Sequence, residues 1–107
     1  LSITTEEDAM SKLPPIHPGE ILREEFLTPL GLSAGKVALA IGVPRTRIER
    51  LAKEQVDLSP DTALRLARFF RTTPAFWMEI QSRYALESAE DAIASELAKI
   101  EPMLERA

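Results

Sequence analysis

Apolar residues recur at helical spacing along most of the chain, and no stretch sustains the alternation of apolar and polar positions that marks a strand. Pro14, Pro15 and Pro18 make the approach to the first helix extended. That helix is predicted from Pro18, which suits the first helical position, to about Thr28, with Glu20 near its positive end and Ile21, Leu22, Phe26 and Leu27 facing inward. Pro29 and Gly31 break the pattern. Ser33 then offers an N-cap to a second helix whose core face opens on Val37 and Ala38, and Ile48 and Leu51 bury a third. Ser59-Pro60-Asp61 and Thr73-Pro74 repeat one device, a hydroxyl cap followed by Pro at the first helical position. The fourth helix should bury Ala63, Leu64, Leu66, Ala67 and Phe70. A fifth, ending near residue 86, should bury Phe76, Trp77, Ile80 and Tyr84. Ser88 and Asp91 resemble a capping box for a sixth, with Ile93, Leu97, Ile100 and Leu104 on one face and Pro102 limiting regular helix to about Glu101. The predicted fold is all-α: five helices plus a C-terminal helix.

The segment from Ser33 to Lys53 carries more than helical spacing. Ala38 must be small for a second helix to cross it, and Gly42, between Ile41 and Val43, supplies the backbone freedom of a short interhelical turn. These positions in this order form the pattern of a DNA-binding helix-turn-helix. With Ile48 and Leu51 turned inward, Arg45, Thr46, Glu49 and Arg50 point out, from where side chains reach base edges. An arginine fork matches guanine O6 and N7, and Thr46 can meet a thymine methyl or a phosphate. Arg47 and Lys53 lie toward the flanks, where cations more often hold phosphates. Glu49 has two readings: it accepts from a cytosine amino group, or it bridges Arg45 and Lys53 on one exposed face.

Charge changes this picture only when it is resolved along the chain. The net formal charge is −4, which argues against a nucleic-acid partner until the segments are taken apart. Residues 1–17 carry one Lys and three acids; residues 18–74 carry nine basic and seven acidic side chains; residues 75–107 carry three basic and seven acidic. A basic centre therefore lies between acidic ends, and the ends are the expected place for a basic protein partner. Three regions follow: an N-terminal arm at 1–13, a helix-turn-helix domain at 14–86, and a C-terminal segment at 87–107 for dimerisation or partner contact. Residues 1–9, rich in Thr and acids and starting at Leu1, are expected to be dispensable.

Other chemistry is scarce. The chain has no cysteine, hence no disulfide or thiolate metal site, and one histidine, which before Pro18 reads as a residue that opens a helix. Glu24 and Glu25 splay about 100° apart on a helix, as solvated residues do. Trp77, Phe76 and Tyr84 read as core. No glycine-rich phosphate loop, signal peptide or membrane-length apolar run appears, so the expectation is a soluble cytoplasmic protein, not an enzyme, without metal or cofactor.

Three stretches carry a family resemblance: HPGEILREEFLTPLGLS at 17–33, the helix-turn-helix itself, and SPDTALRLARFFRTTPAFWMEIQSRYAL at 59–86. Together they resemble the HigA antitoxins, within the phage-repressor-like helix-turn-helix regulators, nearly without a gap from 14 to 86. His-Pro-Gly-Glu and Thr-Pro-x-Phe-Trp are the more diagnostic parts. The resemblance implies a repressor-like homodimer that binds double-stranded operator DNA, represses its own operon and neutralises a small basic toxin, usually a messenger RNA endonuclease. Three departures bear on the DNA surface. Pro44 stands where Ser or Thr commonly caps the recognition helix, so its start can shift by one residue. Ala34 and Gly35, after Ser33, replace polar phosphate contacts and leave backbone amides. Lys53-Glu54-Gln55-Val56-Asp57 lacks the glycines relatives show, so the helix is expected to run on for part of a turn. A free-standing regulator without a toxin and a protein-binding helical adaptor remain as alternatives.

Overall fold

The computed structural model describes residues 13–103, and hydroxyl side chains start three of its helices as the sequence predicts. Ser33, Ser59 and Thr73 accept hydrogen bonds from the backbone N–H groups of Lys36, Thr62 and Phe76 at 3.0 to 3.2 Å, satisfying donors that a helix start leaves open. They open α2 (Ala34–Ile41), α4 (Pro60–Phe70) and α5 (Pro74–Ala92), the last two with Pro in the first turn. The expected arm, Leu13 apart, and Leu104 lie outside the described residues.

Helix α1 spans residues 18–30. His17 opens it, as its place before Pro18 predicts: its Nδ1 accepts from the Gly19 N–H at 2.8 Å, and the buried imidazole meets the Tyr84 ring edge-on, centroids 4.7 Å apart. The helix departs from expectation in its length. After the α-helical turn Pro18–Ile21 the helix widens to a π-helix over Leu22–Leu27, the Thr28 N–H reaching back five residues to the Arg23 carbonyl. A wider turn relieves the clash between the Pro29 ring and the carbonyl four residues back, so the helix absorbs Pro29 and continues through Thr28–Leu30. Gly31, at φ 64°, ends it, and the Leu32 N–H closes on the Leu27 carbonyl at 2.9 Å.

Helices α2 and α3 (Arg45–Ala52) form the helix-turn-helix, with Gly42 at φ 75° in the turn and Ala38 buried beneath the crossing. Helix α1 lies on α3 and α5, and α4 on α2 and α5. Leu22, Val37, Ile48, Leu51, Leu66 and Trp77 fill the centre, all 2% exposed or less. Trp77 donates its Nε1 proton to Thr72 Oγ1 at 2.8 Å, and Phe26 tilts between Phe70 and Trp77 at centroid distances of 4.7 and 5.2 Å. Gln81, also buried, accepts from the Leu58 N–H at 2.7 Å and fixes the loop that leads into α4.

Expectation and structure part in four further places. Leu64 is 58% exposed, because Thr62, Ala63, Leu66 and Ala67 form the buried stripe of α4 and Leu64 stands about 100° from Ala63. Phe76 is 39% exposed: it closes the aromatic cluster from the rim, edge-on to Trp77. Helix α5 does not stop near residue 86 but runs to Ala92, since Leu86 to Ala92 holds no Gly or Pro, so Ser88 lies inside a helix and not at a cap. The chain kinks at Ile93, φ −119°, and a short α6 (Ala94–Ala98) ends before Glu101; Ile93, Leu97 and Ile100 are exposed on it. Among the described residues no helix is long and apolar enough to cross a membrane.

Candidate nucleic-acid interface

The interface is built on α3, and its first residue is set by Pro44. At φ −63° and ψ 145° Pro44 occupies the N-cap position, outside the helix, and offers no side-chain oxygen; its carbonyl accepts from the Arg47 N–H at 3.0 Å. Arg45 is thus the first helical residue, and α3 begins with two cations and no acid in its first turn, a charge arrangement that the helix dipole disfavours.

Acids brought from elsewhere offset this. Glu49 Oε2 stands 3.2 Å from Arg45 Nε one turn along, so in the free protein Glu49 bridges Arg45 and not Lys53. Asp61, from α4, pairs with Arg47 at 3.0 Å, which ties this α3 cation to the start of α4. Arg65 also bonds Asp61, at 2.8 Å, and donates to the Ile41 carbonyl at 2.7 Å, tying α2, α3 and α4 together. The bound Arg65 guanidinium holds the Asp61 carboxyl below the usual carboxylate range against an opposing desolvation, with Arg47 a lesser contributor. Arg65 and Asp61 stand one turn apart in the sequence and could be paired from it; the link to Arg47 is non-local and has no sequence signal.

Arg45, Thr46, Arg50 and Lys53 remain exposed on the outer face, the Arg45 side chain by 72%. Ser33, Ala34 and Gly35, ten residues or so earlier, join them in space. A Cβ added to Gly35 would stand 3.0 Å from Arg45 Cδ, so the lack of a side chain lets the arginine stem lie across the start of α2. Ser33 Oγ is engaged as the cap, leaving the Ala34 and Gly35 amides as the donors that can face an anion.

The far end of α3 corrects the expectation of a helix running on. Ala52 is its last residue, and Glu54 takes the left-handed conformation, φ 62°, that glycine fills more cheaply. Gln55 closes the turn, its N–H on the Arg50 carbonyl at 2.9 Å. Arg23 of α1 compensates: one guanidinium nitrogen donates to the Ala52 carbonyl and another lies 3.2 Å from Glu54 Oε2. Beside it the backbone of Gly19 touches the Leu51 carbonyl, so the C-terminal end of the recognition helix is clamped by α1.

Comparison with known proteins places this geometry. The Helix-turn-helix family model matches residues 22–77, which include all of α2 and α3. "Virulence-associated protein I" of Dichelobacter nodosus is 48% identical over 80 residues, covering 75% of this chain and 74% of the relative. The solved structure of Pseudomonas aeruginosa antitoxin HigA with the higBA promoter is 43% identical, superimposes with a TM-score of 0.81, and covers 84% of this chain and 99% of its own. Antitoxin GraA in complex with its operator gives 39% identity and a TM-score of 0.81 over 86% of this chain and 94% of GraA. By these matches the chain belongs to the phage-repressor-like helix-turn-helix family and, within it, to the HigA-type antitoxins.

Proposed function

We propose that this chain is a sequence-specific DNA-binding antitoxin that represses its own operon and neutralises a messenger RNA endonuclease toxin. The observation that carries the reading is the outer face of α3, where Arg45, Thr46, Arg50 and Lys53 stand exposed beside the free amides at the start of α2, in a fold that relatives were solved holding on operator DNA. Arg45 and Arg50 read guanine edges; Thr46 meets a thymine methyl or a phosphate. Lys53, Arg47 and the Ser33 to Gly35 turn hold backbone phosphates, and Glu49 orients Arg45. A two-fold dimer presents two such faces to half-sites about 34 to 36 Å apart. The domain division at residues 13 and 86 belongs to the same proposal, with the acidic C-terminal segment contacting the second copy or a basic toxin.

The test is binding to the DNA immediately upstream of the chain's own reading frame. Arg45→Ala and Arg50→Ala should each cost about 1 to 3 kcal/mol and relax base preference at one position per half-site, whereas Lys53→Ala should weaken all sequences alike. Both arginine variants binding with unchanged affinity would mean that α3 does not read DNA. Rescue of cell growth by co-expression with the toxin encoded beside it tests the second half; no neutralisation would leave a repressor without antitoxin activity.

A further inference from the structure

Asp61 lies outside the helix-turn-helix, yet two arginines converge on one of its oxygens, Arg65 Nε at 2.8 Å and Arg47 Nη1 at 3.0 Å. The two differ in what else holds them. Arg65 Nη1 also donates to the Ile41 carbonyl at 2.7 Å and more weakly to that of Gly42 at 3.4 Å. These carbonyls end α2, where a helix leaves acceptors open and its dipole favours a cation. Arg47 has Asp61 as its one ion-pair partner among the described residues, and both side chains are about half exposed, 43% and 57%. It also sits in the first turn of α3, where its charge is disfavoured unless an anion is near. Carboxylate and phosphate oxygens satisfy a guanidinium in the same way.

We infer that Asp61 is a resident competitor for DNA phosphate: it holds Arg47 in the free protein, and binding transfers the Arg47 guanidinium to a backbone phosphate while Arg65 keeps Asp61 paired. The transfer is feasible because Asp61 is not left alone by it. In line with this, Arg65 is the foremost cause of the lowered Asp61 pKa and Arg47 a lesser one. Asp61 thereby sets operator affinity without touching a base, as a positioning residue acting through Arg47. The inference rests on the proposal that α3 faces DNA.

The experiment measures binding of the full chain, Asp61→Asn, Arg47→Ala and the double variant across a salt series. The probes are a duplex of the upstream DNA and a scrambled duplex of equal length. Asp61→Asn should tighten both duplexes by about two- to fivefold, the worth of an exposed ion pair. In the Arg47→Ala background the same change should do nothing within error, and Arg47→Ala alone should reduce the salt slope by about one. An equal gain in both backgrounds would mean that Asp61 merely repels DNA, and overturns the transfer. A loss of affinity in Asp61→Asn, with a lower urea midpoint, would mean that the pair only braces the fold, and overturns it too. Salt-independent binding by the unaltered chain would instead defeat the DNA reading itself, and this inference with it.

Discussion

Replacing Gly19 with Ala tests the clamp on the recognition helix, because the substitution is objectionable on one ground alone. Gly19 sits in the first turn of α1 outside the left-handed region, so its backbone accepts any L residue, and in an open helix Ala would gain about 0.5 to 1 kcal/mol. Space is what it lacks. The added Cβ would stand 1.8 Å from the Leu51 carbonyl oxygen and 2.9 Å from its carbon, roughly 1.5 Å short of an ordinary C···O contact. The obstacle is backbone inside a helix, so no side chain can swing aside. Helix α1 or the end of α3 has to move, and with it the Arg23 bond to the Ala52 carbonyl. Overpacking of a core costs about 1 to 3 kcal/mol, and a rigid obstacle puts this case at the upper end, so the net loss should be about 2 kcal/mol.

Urea unfolding followed by far-ultraviolet circular dichroism reads that loss as a lower midpoint at unchanged slope, and heating should show a drop of roughly 8 to 16 °C. Gly31→Ala is the control. Gly31 has φ 64° and nothing within 4 Å of an added Cβ, so its cost of about 1 kcal/mol is conformational and local. The two variants differ in a second readout: Gly19→Ala should also weaken operator binding, since it displaces α3, while Gly31→Ala should not. A Gly19→Ala protein as stable as the parent would refute the close approach of α1 to α3.

Three further outcomes follow from particular contacts. Thr72→Val removes the acceptor for the fully buried Trp77 Nε1 proton and should destabilise by about 1 to 3 kcal/mol; an unchanged midpoint would show that the bond contributes nothing. The Asp61 carboxyl, held low chiefly by Arg65, contributes stability that is complete above the ordinary carboxylate pKa and lost as pH falls through its lowered folded value, so Asp61→Asn should flatten the acid limb of a stability profile. An acid limb identical to the parent's would exclude the pair. Removing residues 93–107, of which those described bury no side chain, should leave the thermal midpoint within a few degrees while weakening dimerisation or toxin neutralisation; a truncated chain that retains both refutes a role for this part of the 87–107 tail.

What was legible in the sequence is what short segments decide by themselves. A hydroxyl before Pro-Asp or Pro-Ala caps a helix wherever it stands, which is why Ser59 and Thr73 begin α4 and α5. Gly42 is the one residue of its turn that takes φ 75° at no steric cost. The misreadings have the opposite character. Pro29 reads as a break, but a π-helical widening upstream removes the clash that would make it one. Without a glycine the end of α3 reads as continuing, but Glu54 takes the left-handed position because Arg23, thirty-one residues earlier, meets both its carboxylate and the Ala52 carbonyl. Leu64 reads as core because apolar residues crowd α4, and only the placement of α2 and α5 decides which stripe is covered.

The same division governs the candidate interface. Which cations point outward on α3 follows from the inward positions of Ile48 and Leu51, and the structure leaves Arg45, Thr46, Arg50 and Lys53 where that argument puts them. How much of their charge faces solvent unpaired does not follow. Counting residues 45–71 gives seven cations against four acids, yet Glu49 engages Arg45, and Asp61 engages Arg47 and Arg65, so among the described residues Arg50 of α3 and Lys53 just past its end are the cations of this face without a carboxylate partner. Under the proposed reading, such a face exchanges internal ion pairs for contacts to DNA when it binds. Each exchange returns little net free energy unless the new partner matches the geometry of the old one. Moderate affinity for arbitrary DNA and a larger gain on a matching sequence are what such a surface favours, which reconciles a chain of net charge −4 with a DNA-reading helix.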